Sequence, residues 1–257
     1  MPIVNGIDAF RVAMDGHEGE YVLIGGGACS VLFDAEGEAF RATKDLDIVI
    51  LTDAGASGFA RALWDFIKDN GYACWKRAET NCSYYRFVLP EESSGAMRLP
   101  AQIELFARHP DFVLENEESE VTPLPFDEGV SSLSAIILDD GYYEFIRGHV
   151  SLIDGIPLLR AIHIIPLKMR AHVDLNRRHM AGRHVNEKDL VKHRGDVARL
   201  SRLLTLVDRL PLEGRMRDDA EEFLADFERY AQRQTSRKQR LMLIDDLAVL
   251  RTVYLGG

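Results

Sequence analysis

The sequence predicts an α+β chain, with a mixed sheet and flanking helices in its first half followed by a helical C-terminal domain. Three observations predict it. Short β-prone runs recur through residues 21 to 106; from Ile162 onward apolar residues recur every three to four positions; and the sign of the charge changes between the two parts.

The first run, Tyr21 to Ile24, stops at Gly25-Gly26-Gly27, and Ala28 to Phe33 then offers a short helical face, so the spacing predicts strand, tight turn, helix. Leu46 to Leu51 reads as the second strand. Ser57 to Asn70 carries Phe59, Leu63, Phe66 and Ile67 at helical spacing with Gly71 as its stop, which suggests a βαβ-like unit. Tyr72 to Trp75, Tyr84 to Leu89 and Ala101 to Phe106 are expected to extend one mixed sheet.

The character changes across the acidic, proline-containing stretch Glu115 to Gly129. Leu133 to Phe145 reads as a helix and Val150 to Leu159 as a hairpin turning at Asp154-Gly155. Helices are expected over Ile162 to Met180, Asn186 to Val207, Asp218 to Gln234 and Arg237 to Tyr254. The implied division is a domain over 1–130 and a mainly helical one over 131–257, with the boundary between about 115 and 135.

The 257 residues, 46% hydrophobic and 28% charged, provide for a sizeable core. No stretch approaches the roughly 18 consecutive apolar residues of a membrane span, and Met1 to Phe10 lacks the zones of a signal peptide, so a cytoplasmic location with no membrane partner is expected. Three cysteines, Cys29, Cys74 and Cys82, form no zinc-type spacing and are expected to be reduced; Cys29 reads as a small buried residue. The net charge of −10 is uneven: −16 over residues 1–159, +7 over 160–202 and −1 over 203–257. The plain interpretation is solvated surface. The sharper one is a carboxylate site facing a basic wall, which suits a metal-bound polyphosphate better than long nonspecific nucleic acid.

The chemistry-bearing residues lie near the glycines. In Thr43-Lys44-Asp45-Leu46-Asp47-Ile48 the two aspartates are one residue apart at the opening of a strand, so both side chains point to the same face. Adjacent carboxylates repel, and hard divalent cations such as Mg²⁺ hold such a pair ionised. Gly25 to Gly27 can bring backbone N–H groups against phosphate, although the run lacks both the Lys-Ser/Thr ending of a P-loop and the spaced glycines of a dinucleotide fingerprint. Glu104, in Ile103-Glu104-Leu105-Phe106, adds a third carboxylate or simply faces solvent from its strand.

Together, the strand, glycine run, helix, Arg41-x-Thr43-x-Asp45-x-Asp47 segment and later strand carboxylate resemble the DNA-polymerase-β-like nucleotidyltransferase superfamily. Within it the pattern looks most like the AbiEii/AbiGii-type toxin nucleotidyltransferases of abortive-infection and toxin-antitoxin systems. The resemblance extends to Pro166-Leu167-Lys168-Met169-Arg170-Ala171, similar to the family's lysine-bearing helix, and to Glu187-Lys188-Asp189-Leu190, similar to its later motif. It implies a nucleotidyltransferase-like sheet and a nucleoside triphosphate contacted by Gly26 and Gly27 or by Gly25 and Gly26, with Arg41, Thr43 and Lys168 beside it. It also implies Mg²⁺ or Mn²⁺ on Asp45, Asp47 and Glu104, with Asp189 orienting Lys168 or a substrate hydroxyl and both facing the acidic triad across a cleft that the helical domain completes. The implied acceptor is a hydroxyl on an RNA 3′ end, a protein or a small molecule, and the implied partner a cognate antitoxin protein.

Two features depart from the pattern: a long acidic connection, Asp34 to Phe40, and a glutamate where many relatives carry aspartate. A different class of function stays open, a catalytically inactive nucleotide-binding or regulatory protein with the same fold. Kinase-type transfer is disfavoured because H-R-D and D-F-G segments are lacking. Arg177, Arg178 and Lys192 are weaker candidates, and His172, His179, His184 and His193 read as solvated or structural.

Overall fold

The structure is a computed structural model describing residues 6–41, 43, 45–51, 58–75, 83–90, 99–107, 139–183, 185–205 and 207–256. The acidic stretch 115–129, residues 133–138 of an expected helix, Cys82 and His184 lie outside these residues. The chain divides into two compact units, Met1–Phe126 with Ile146–Arg160, and Asp127–Phe145 with Ala161–Gly257. A single cut near 130 does not describe this division. The hairpin at 150–159 belongs to the first unit because its second strand pairs with the first strand of the sheet.

The first unit contains α1 (Ile7–Ala13), β1 (Tyr21–Ile24), α2 (Gly25–Ala35), β2 (Asp45–Ile50), α3 (Gly58–Asp69), β3 (Ala73–Trp75), β4 (Ser83–Val88), β5 (Gln102–Ala107), β6 (Val150–Ile153) and β7 (Ile156–Leu159). Helix α4 (Asp140–Gly148) leads into the hairpin. Among the described residues the sheet has seven strands in the order β3-β4-β5-β2-β1-β7-β6. It is mixed, as expected: β1/β7 and β2/β5 run parallel and the other neighbours antiparallel. The βαβ-like unit takes a split form, since β2 and β3 point the same way with β5 and β4 lying between them. Asp154 (φ 50) and Gly155 (φ 76) make the β6/β7 turn, where a tight hairpin needs two positive φ values.

Register sorts the strand residues onto two faces. Tyr21, Leu23, Leu46, Ile48, Ile103 and Leu105 share one, and all are buried. Helices cover this face. Tyr21 stacks on Phe59 of α3 at 5.1 Å and meets Phe10 of α1 edge-on at 5.7 Å, while Gly27 brings α2 against Leu23 and Leu46. The short helix α1 is absent from the sequence expectations, although Ile7, Phe10 and Met14 carry the spacing of its buried side. The opposite face carries Asp45, Asp47 and Glu104.

The second unit is built on α5 (Ala161–Met180), α6 (Glu187–Leu200), α7 (Gly214–Gln232) and α8 (Arg237–Leu255). Among the described residues no helix is long and apolar enough to cross a membrane. Helix α6 starts at the Asn186 cap, whose side chain accepts from the Lys188 N–H, but stops at Leu200 and a 3₁₀ turn over Ser201–Leu203 instead of reaching Val207. Asp208 explains the stop. Its Oδ2 accepts from both the backbone N–H and the hydroxyl of Thr205, offering local bonds that compete with a continuing helix.

Pro166 sits inside α5, where it has no N–H for the Ile162 carbonyl one turn earlier. The fully buried Tyr254 of α8 supplies the missing donor, its hydroxyl lying 2.8 Å from that oxygen. The C-terminal helix thus repairs a break in α5. Tyr254→Phe should lower the free energy of unfolding by about 1 kcal/mol, the usual net worth of one hydrogen bond to a part-buried carbonyl. In a Pro166→Ala background the helix can satisfy Ile162 itself, so the penalty should shrink in a urea-denaturation double-mutant cycle; equal penalties in both backgrounds would remove Pro166 from the explanation.

Candidate functional site

The glycine run does not precede the helix as a separate turn; it forms the first turn of α2. Gly25 has φ +69, a conformation that L side chains rarely adopt, and a Cβ placed there would fall on the carboxylate of Asp47. A Cβ on Gly26 would lie 2.8 Å from Thr43 Oγ1 and 3.2 Å from an Arg41 guanidinium nitrogen. The run therefore packs backbone directly against three of the residues that the sequence pattern singles out. Arg41 is held there by its neighbours, with its guanidinium 5.3 Å from the ring centre of Phe40, which in turn lies 5.0 Å from Phe33 of α2.

Strand register assembles the carboxylates. Ile24 of β1 opposes Asp47 of β2, Asp47 opposes Glu104 of β5, and Glu104 opposes Arg86 of β4, so one row crosses four strands. The neighbouring row is Asp45, Gln102 and Val88. Adjacent strands lie about 4.8 Å apart, and Asp45, Asp47 and Glu104 occupy one face at neighbouring positions. Both aspartates are half-buried, whereas Glu104 is 8% exposed.

The three carboxylates differ in their partners. Glu104 Oε1 accepts from Arg86 Nε at 3.0 Å, from a terminal Arg86 nitrogen at 2.9 Å and from Gln102 Nε2 at 2.6 Å. Among the described residues no group of three or more Asp, Glu, His or Cys side chains is arranged to hold a metal ion. The donors that fit a hard divalent cation are thus the paired aspartates, with Glu104 beside them by register but engaged with Arg86. Arg86 and Gln102 escape sequence reasoning because neither belongs to a motif; the signal for both was strand alternation, which places them on the face of Glu104.

Lys168 and Asp189 belong to the second unit. Lys168 is 5% exposed, and its ammonium lies 3.1 Å from the carboxylate of Asp196, which is fully buried on α6. Asp189 stands two turns earlier, half-buried in the first turn of α6, a position where the helix dipole favours an acid. The carboxylate that meets Lys168 is therefore one the motif did not single out. Its sequence signal was an aspartate beside Val197, Ala198 and Leu200 on the buried side of α6. Burial, then the charges of Lys168 and Lys192, push His193 well below the usual histidine range and hold it neutral. His172 is buried between the Leu190 carbonyl and the Asp226 carboxylate, at 3.2 and 3.0 Å, in keeping with a structural role. Arg177 and Arg178 are occupied by Glu222 and Asp174. Cys29 is buried, with its Sγ 3.0 Å from the Gly25 carbonyl.

The close approach at Gly25 can be measured against a control. Gly25→Ala and Gly37→Ala both force alanine to φ near +70, but the space around Gly37 is open. Gly37→Ala should cost about 1 kcal/mol in urea unfolding and Gly25→Ala clearly more, because its methyl must also displace the Asp47 carboxylate. Equal costs would mean that the carboxylate yields freely. Comparison with protein-family models, with curated proteins and with solved structures returns no match to this chain.

Proposed function

We propose that the chain is a metal-dependent nucleotidyltransferase that moves a nucleoside monophosphate from a nucleoside triphosphate to an acceptor hydroxyl. The observation that carries this reading is the packing of the glycine turn on the Asp45–Asp47 strand: Gly25 lies at the Asp47 carboxylate, with Thr43 and Arg41 against Gly26. Bare backbone at a helix N-terminus, two carboxylates on one strand face and a guanidinium are the parts that triphosphate recognition needs.

Each part has a distinct task. The first turn of α2 carries no side chains of its own at Gly25 to Gly27, and the positive end of the helix favours an anion there. Arg41, braced on Phe40, balances phosphate charge. Asp45 and Asp47 would hold Mg²⁺ or Mn²⁺, which when bound supplies charge neutralisation of the triphosphate and of its pyrophosphate leaving group. The acceptor belongs to the same proposal: an RNA 3′ end, a protein hydroxyl or a small molecule. A toxin or abortive-infection role, with a cognate antitoxin protein, rests on the sequence resemblance alone.

One observation favours the second reading, a nucleotide-binding or regulatory protein that transfers nothing. Glu104, expected to complete an acidic triad, accepts instead from Arg86 and Gln102. Transfer of label separates the two readings. With Mg²⁺ and each α-³²P-labelled triphosphate in turn, the chain should release pyrophosphate and label an RNA, protein or small-molecule fraction of a cell extract. Asp45→Asn and Asp47→Asn should each reduce transfer on the order of a hundredfold or more while circular dichroism stays unchanged. Tight nucleotide binding with no label transferred to any fraction would favour the regulatory protein.

A further inference from the structure

We infer that Arg86 belongs to this site and takes Glu104 out of the cation's ligand set, leaving a cation site made by Asp45 and Asp47 and bordered by a guanidinium. The inference rests on the transferase reading for the presence of a cation and on the sheet for everything else. Three N–H donors converge on one oxygen of Glu104, two from Arg86 and one from Gln102, at 2.6 to 3.0 Å. An oxygen so surrounded is committed, because a cation would have to displace charge-assisted bonds to reach it.

Burial makes the displacement costly. Glu104 is 8% exposed and the Arg86 side chain 26%, so separating them would break a charge-assisted pair that is largely removed from water. The arrangement also follows from the fold rather than from one rotamer. Arg86 and Glu104 are direct cross-strand partners, and Gln102 precedes Glu104 by two residues on the same face. The row therefore sets the Glu104–Arg86 ion pair directly beside Asp47. Glu104 acts as a positioning residue that fixes the guanidinium two strands from Asp47.

Mn²⁺ binding to the full chain, followed by the electron paramagnetic resonance of free Mn²⁺, tests this without nucleotide. Arg86→Met/Glu104→Gln removes the ion pair and should bind Mn²⁺ within about twofold of wild type, whereas Asp47→Asn should weaken binding about tenfold or more. Arg86→Met alone removes the positive charge and two of the three donors from Glu104 Oε1 and should tighten binding about tenfold, a gain that structural damage would not produce. The inference is overturned if the double variant loses as much affinity as Asp47→Asn, or if Arg86→Met binds no tighter than wild type; the aspartate site then still stands. Wild-type protein that binds no Mn²⁺, or binds it indifferently to Asp47→Asn, overturns the inference and the metal-dependent reading together. Unsubstituted protein gives an independent readout should Arg86→Met fail to fold. In ¹⁵N-arginine-labelled chain the Arg86 Nε–H resonance, assigned by its absence from Arg86→Lys, should keep its shift as Mg²⁺ saturates the site; a large shift would mean that Glu104 leaves Arg86 for the cation.

Discussion

The candidate site depends on the pairing of β1 with β2 in the register that sets Ile24 against Asp47. With that register fixed, the next residue of the chain passes over the Asp47 carboxylate, where no side chain fits and φ is positive. Glycine at position 25 is thus a steric requirement of the strand pair. The same register turns Asp45 and Asp47 to the face opposite α1, α2 and α3, and the parallel pairing of β2 with β5 sets Glu104 beside them. A slip of one residue would send both aspartates into the apolar layer formed by Leu23, Leu46 and Ile48.

The second unit uses charge differently. Lys168, Arg170 and His172 are all buried on α5, and each meets a carboxylate from another helix: Asp196 of α6, and Asp219 and Asp226 of α7. Tyr142 adds its hydroxyl to Asp219 at 3.1 Å. Buried pairs of this kind contribute little net stability because both partners lose water, yet removing one partner costs several kcal/mol. The three contacts tie α6 and α7 to one helix, α5. Tyr254 makes a neutral counterpart, tying α8 to the carbonyl that Pro166 leaves without a donor.

Where a residue's place in the fold depended on local pattern, the sequence was readable. The i, i+2 aspartates on one strand, the Asp154-Gly155 hairpin and the existence of four helices from Ile162 onward are set by period and turn chemistry, and they occur where expected, apart from the early stop of α6. Roles that depend on a distant partner were not. Arg86 looks like any polar strand residue until β4 and β5 are paired, and Asp196 looks like a surface acid until α6 packs on α5. The expected domain cut near 130 missed a hairpin whose partner strand lies far earlier in the chain, and the length of α6 turned on a competing bond from Asp208. Alternation located the Asp45–Asp47 strand, but finding the partner of Glu104 required knowing what stands across from it.

The proposed meeting place of a triphosphate and a divalent cation is the glycine-rich start of α2 and the paired aspartates. Its most direct test is a crystal structure with a non-hydrolysable nucleoside triphosphate and Mn²⁺, with the metal located by anomalous scattering. Phosphate oxygens are expected on the backbone N–H groups of Gly25 to Gly27, with the anomalous peak within coordination distance of Asp45 and Asp47. An ordered triphosphate bound elsewhere, with both aspartates lacking metal, would contradict it.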